Sequence, residues 1–83
     1  KLDPSNIYVN QNIGFYYFNL SKASAAIPYF KKALALPGFN NGKTEFFLGL
    51  CYVNVGDKVN ACSYFKLAGN YPDAAKLLEI HCK

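Results

Sequence analysis

Three cysteines, one histidine and five carboxylates are the side chains of this 83-residue sequence whose chemistry could extend beyond packing. The carboxylates are Asp3, Glu45, Asp57, Asp73 and Glu79. Acid–base or covalent catalysis would need them gathered beside a nucleophile or a phosphate-binding loop, and no glycine-rich phosphate loop or nucleophile motif occurs. Asp3, Asp57 and Asp73 stand where helices are expected to begin, a place where negative charge is favourable without any reaction. These residues predict no enzyme in this segment. His81 beside Cys82 invites a metal reading, but adjacent helix residues point apart and no C-x-x-C or paired-histidine spacing accompanies them. We therefore expect no metal and no cofactor, and His81 reads as a cation-capable residue near a helix C-terminus.

The cysteines carry the remaining chemistry. Cys51 lies beside Tyr52 and reads as a small buried core residue. Cys62 and Cys82 lie equally far before and after Pro72, where a short last helix is expected to start. In an antiparallel helix pair, positions equidistant from the turn come level. Cys82 follows Ala75 and Leu78 at helical spacing, and Cys62 shares a face with Phe65 and Gly69. A disulfide between them is geometrically possible and would tie the last helix down by about 3 kcal/mol. Two reduced core cysteines are the competing reading, because bridges follow compartment.

The elements that must position these residues repeat. A shift of 35 residues superposes Gly14 on Gly49, Tyr17 on Tyr52, Ala26 on Ala61, Tyr29 on Tyr64, Phe30 on Phe65, Lys31 on Lys66 and Ala33 on Ala68. Ile13 over Leu48 and Phe15 over Leu50 are conservative matches. Helical spacing of Ile13, Tyr17 and Leu20, and again of Leu48, Tyr52 and Val55, predicts a first helix in each unit, at about 6–20 and 41–55. The partner helices are expected at about 22–36 and 58–69, and a last helix at about 72–82. Ser5 and Asp57 are candidate N-caps. Pro37-Gly38 and Gly69-Asn70 are expected to end helices, with Pro72 in the first turn of the next. Pro28 falls inside a helix, near enough to its start to be tolerated.

Within each unit the pattern is apolar-Gly-x-x-Tyr, then Ala-x-x-x-Phe-x-x-Ala. It resembles the tetratricopeptide repeat, whose unit is about 34 residues. The matching residues are Ile13, Gly14, Tyr17, Ala26, Phe30 and Ala33, then Leu48, Gly49, Tyr52, Ala61, Phe65 and Ala68. One additional residue near Asn40-Asn41 accounts for the longer spacing. Leu2-Asp3-Pro4-Ser5-Asn6 looks like the tail that ends such a unit. The resemblance implies an all-α, right-handed solenoid. Residues 1–6 would be the tail of an upstream repeat, 7–41 a first repeat, 42–71 a second and 72–83 a capping helix that covers the last open face. Mid-helix glycine costs roughly 1 kcal/mol against alanine. We expect Gly14 and Gly49 to be there so that Ala26 and Ala33, or Ala61 and Ala68, can approach. Tyr17 with Phe30, and Tyr52 with Phe65, would fill the space alongside.

The resemblance also implies a function, protein–protein interaction, with a peptide or partner protein held in a concave groove lined by the first helices. The groove positions would be Tyr8, Gln11, Asn12, Phe15 and Asn19 in the first repeat, and Lys43, Phe46, Phe47, Leu50 and Asn54 in the second. Aromatic rings would supply buried area, while Asn and Gln would pair with a peptide backbone. A carboxylate clamp for acidic tails needs more Lys, Arg and Asn there than Lys43 and a few amides provide. The competing reading is a structural or homo-oligomerising module, with Phe15, Phe46 and Phe47 packed on an upstream repeat or a second copy of the chain.

Composition narrows the partner further. The net charge of +4 comes from nine scattered lysines with no arginine, which argues against nucleic acid. No apolar run reaches the roughly 18 residues a membrane span requires. Lys1-Leu2-Asp3-Pro4 has neither the apolar core of a signal peptide nor an initiator Met, so we expect a piece of a longer chain. Cytoplasmic and exported locations both stay open, and a Cys62–Cys82 bridge would favour export.

Overall fold

A computed structural model describes residues 6–36 and 42–82. It contains five helices: α1 (Ile7–Asn19), α2 (Ala23–Ala35), α3 (Lys43–Asn54), α4 (Lys58–Ala68) and α5 (Ala74–His81). There is no strand among the described residues. The chain folds as an all-α helical repeat in which each helix packs chiefly on those before and after it. No described helix is long and apolar enough to cross a membrane.

Local chemistry sets the helix ends. Asn6 caps α1, its Oδ1 accepting from the backbone N–H of Tyr8 at 2.8 Å and of Val9 at 3.2 Å. The expected cap Ser5 lies outside the described residues, as do Pro37-Gly38 and Asn40-Asn41. α2 runs unbroken past Pro28, which is exposed near the helix start. Gly69 ends α4 with φ +62°, a conformation that glycine adopts without steric cost. Pro72 does not start the last helix as expected. Residues 71–73 form a turn, with the Ala74 N–H donating to the Tyr71 carbonyl at 3.0 Å and Asp73 at φ +70°. α5 therefore opens at Ala74, and the Asp73 side chain caps nothing.

Asp57 is the N-cap of α4. Its carboxylate accepts from Asn60 Nδ2 at 2.7 Å and from the Asn60 backbone N–H at 3.1 Å. These two hydrogen bonds, the side-chain one first, hold its pKa below the ordinary carboxylate value. A carboxyl whose pKa is lowered on folding adds stability above its unfolded pKa, and that contribution disappears as pH falls through the lower folded value. We expect Asp57→Ala to lower the melting temperature at neutral pH, and the gap from the native chain to narrow at a strongly acid pH, as the carboxyl is protonated through its lowered folded value. Melting curves at the two pH values check this; a gap that does not change with pH would contradict it.

The core runs through the whole stack. Phe30 and Phe65 are completely buried, together with Ala26, Ala33, Leu48, Cys51, Ala61 and Ala74. The two glycines face these rings. A Cβ built on Gly14 would stand 2.6 Å from Phe30 Cε1, and one on Gly49 would stand 2.5 Å from Phe65 Cε1. This corrects the expectation that the alanines occupy the space beside glycine. The atoms nearest the bare glycine backbone are those of the phenylalanine ring, Cδ1, Cε1 and Cζ. The tyrosines pair differently as well: Tyr17 stacks on Tyr29 with centroids 5.8 Å apart, and Tyr52 on Tyr64 at 5.6 Å.

Candidate peptide-binding face

In α1 the residues Tyr8, Asn12, Phe15 and Asn19 recur at steps of four, three and four, which puts them on one helical side. Thirty-five residues later, Lys43, Phe47, Leu50 and Asn54 do the same in α3. Tyr8, Asn12, Asn19, Lys43 and Asn54 are exposed, and Phe15, Phe47 and Leu50 are half-buried. Amides and one ammonium group thus stand above recessed apolar surface.

Ring contacts join the two helices into one surface. Phe15 meets Phe47 edge-on at 4.8 Å between centroids, and Phe18 meets the same ring at 5.4 Å. Phe15 also reaches Phe30 at 5.0 Å, which ties this surface to the core. Lys43 Nζ stands 4.8 Å from the centre of the Phe15 ring, a cation–π contact that crosses from α3 to α1.

Two expected groove residues lie elsewhere. Gln11 is buried, its Nε2 donating to Thr44 Oγ1 at 2.6 Å. It clamps α1 to α3 and has no surface to offer a ligand. Phe46 is buried as well, at 5.0 Å from Tyr71 and 6.0 Å from Phe65. It belongs to the core between α3, α4 and the turn before α5. Both sit one residue before a true face position, Asn12 or Phe47. Helical residues about 100° apart lie near the boundary between two sides, and periodicity alone does not assign them.

Sequence reading missed a feature at the end of this face. An open depression of about 730 Å³ is lined by Phe18, Ser21, Lys22, Ala23, Ser24, Ala25, Asn54 and Val55. It lies where α1 turns into α2, against the end of α3, and Asn54 is common to it and to the face. Residues of a turn and of two helix ends make it, and no spacing rule connects them.

The remaining reactive groups sit away from the face. Cys62 and Cys82 form a disulfide with Cα atoms 5.7 Å apart, linking α4 to the residue that ends α5. Cys51 is fully buried, and burial pushes its thiol up to about 11, so it stays protonated at neutral pH. His81 lies in the last turn of α5, its ring roughly parallel to that of Phe65 at 6.3 Å. Among the described residues no three His, Cys, Asp or Glu side chains come together as a metal site would need.

The family model of the tetratricopeptide repeat matches residues 7–38, the stretch that contains α1 and α2. No curated protein matches the chain.

Proposed function

We propose that this chain, whose residues 7–38 match the tetratricopeptide repeat model, is an interaction module of that family that binds a peptide along the side of α1 and α3 carrying Tyr8, Asn12, Phe15, Asn19, Lys43, Phe47, Leu50 and Asn54. Repeats of this family mediate protein–protein interaction and are typically non-enzymatic scaffolds. In this reading α3 and α4 are a second repeat, 42–71, and α5 with its flanking residues, 72–83, is the cap. The observation that carries the proposal is the duplicated four-three-four ladder, fused into one surface by the Phe15–Phe47 contact and the Gln11–Thr44 clamp. Recessed rings suit apolar side chains, and exposed amides can pair with an extended backbone. Lys43 adds one positive charge for an acidic residue of the ligand.

Selection of displayed random peptides against the immobilised chain tests this. Asn19 and Asn54 are exposed and equivalent in the repeat, so replacing both by alanine leaves the packing intact. The double variant is expected to weaken the selected peptides about tenfold or more, the loss of roughly two hydrogen bonds. Peptides that bind the double variant as tightly as the native chain would place recognition on another surface.

A further inference from the structure

The Cys62–Cys82 bond takes no part in the peptide-binding face, and its two sulfurs stand in different electrostatic surroundings. Both cysteines are half-buried, so neither is sealed in the core. With Lys58, Val59, Ser63 and Lys66 they line an open depression of about 420 Å³. Lys58 and Lys66 stand four residues before and after Cys62, about one helical turn to either side, and both are exposed. Asp57, the acid at the start of α4, is turned to the Asn60 amide. Around Cys82 the sequence supplies Glu79 and Lys83, whose charges offset one another. His81 has its ring roughly parallel to that of Phe65. Cys62 is thus the sulfur with net positive surroundings.

We propose that this bond is a thiol-exchange site for a small anionic thiol, which attacks Cys62 and loosens α5. The thiolate sulfur bonds to Cys62 Sγ as the Cys62–Cys82 bond breaks, and the electron pair of that bond leaves on Cys82 as a thiolate. A second thiolate then attacks the sulfur of the thiol held on Cys62. The small-molecule disulfide forms, and Cys62 leaves as a thiolate. Each protein thiolate takes up a proton that an attacking thiol gave up, so two thiols reduce the bridge to a dithiol. Positive charge acts twice at Cys62. It raises the local concentration of the anion, and it stabilises the Cys62 thiolate released in the second step. The bond joins α4 to the residue that ends α5, and Ala74 is the only buried residue of that helix. Exchange at Cys62 therefore couples the thiol redox state of the surroundings to the order of α5.

Opening of the bond by thioglycolate, which carries a carboxylate, and by cysteamine, which carries an ammonium group, tests the proposal. Rates are expressed per thiolate and compared between the native chain and Lys58→Gln/Lys66→Gln, so that intrinsic differences between the two thiols cancel. At about 10 mM salt the thioglycolate-to-cysteamine ratio is expected to be at least about fivefold higher in the native chain. In the native chain alone the ratio should fall by a similar factor at about 1 M salt, where the screening length is about 3 Å. Acid quenching and peptide mass spectrometry should find the small thiol chiefly on Cys62. A ratio indifferent to both salt and the lysines overturns the proposal, and so does a mixed disulfide chiefly on Cys82. An opening rate that does not rise with thiol concentration overturns it too, since the bond would then open only after the helices unfold. No residue of this depression belongs to the peptide-binding face, so its failure leaves that reading untouched.

Discussion

Replacing Gly49 by leucine is expected to unfold α3 and α4, and the single methyl of Gly49→Ala is expected to cost about 2 kcal/mol, the size of an overpacked core. The opposite sign would follow from helix propensity alone, since alanine is favoured over glycine by roughly 1 kcal/mol in a helix interior. The difference lies in the Phe65 ring. A Cβ on Gly49 would stand 2.5, 2.6 and 2.9 Å from Phe65 Cε1, Cδ1 and Cζ. The ring is fully buried and cannot swing into solvent. Gly14 and Phe30 repeat the arrangement, with the nearest approach at 2.6 Å, so Gly14→Ala should behave alike. Urea denaturation of Gly49→Ala, Phe65→Leu and the double variant checks the cause. The double variant should lose at least about 1 kcal/mol less than the sum of the single ones, because leucine vacates part of the space the methyl needs. A stabilised Gly49→Ala would mean that the ring does not lie on the backbone.

Opening the Cys62–Cys82 bond is expected to lower stability by about 3 kcal/mol in the chain-entropy model, given a separation of 20 residues. The effect should be concentrated at one end. α5 has eight residues, too few to hold a helix in water on its own, and Ala74 is its only buried residue. Hydrogen exchange after reduction, or in Cys62→Ala/Cys82→Ala, should show α5 amides losing protection while α1 and α2 keep theirs. Cys51, buried and protonated at neutral pH, offers no thiolate for exchange with the bridge. Unchanged protection of α5 after reduction would show that packing alone secures it.

The sequence by itself determined the helices, their 35-residue repetition and the face ladder, because helical periodicity and the matched small and aromatic residues are local properties that repeat in register. Asp57 was legible as a cap for the same reason: an aspartate before a helix meets N–H groups of its own first turn. Only the tertiary structure decided what each side touches. Gly14 and Gly49 could be recognised as points of close approach, yet that the intruder is a phenylalanine ring and not an alanine depends on how far one helix slides along the other. Gln11 and Phe46 read as ligand-facing and lie buried, because residues at the boundary of a helical side are assigned by the angle at which the next helix crosses. The depression at Ser21–Ala25 and Asn54 had no linear signature, since it forms where separate helix ends converge. Spacing along a chain specifies which side of a helix a residue occupies; the neighbour on that side is specified only when the helices pack.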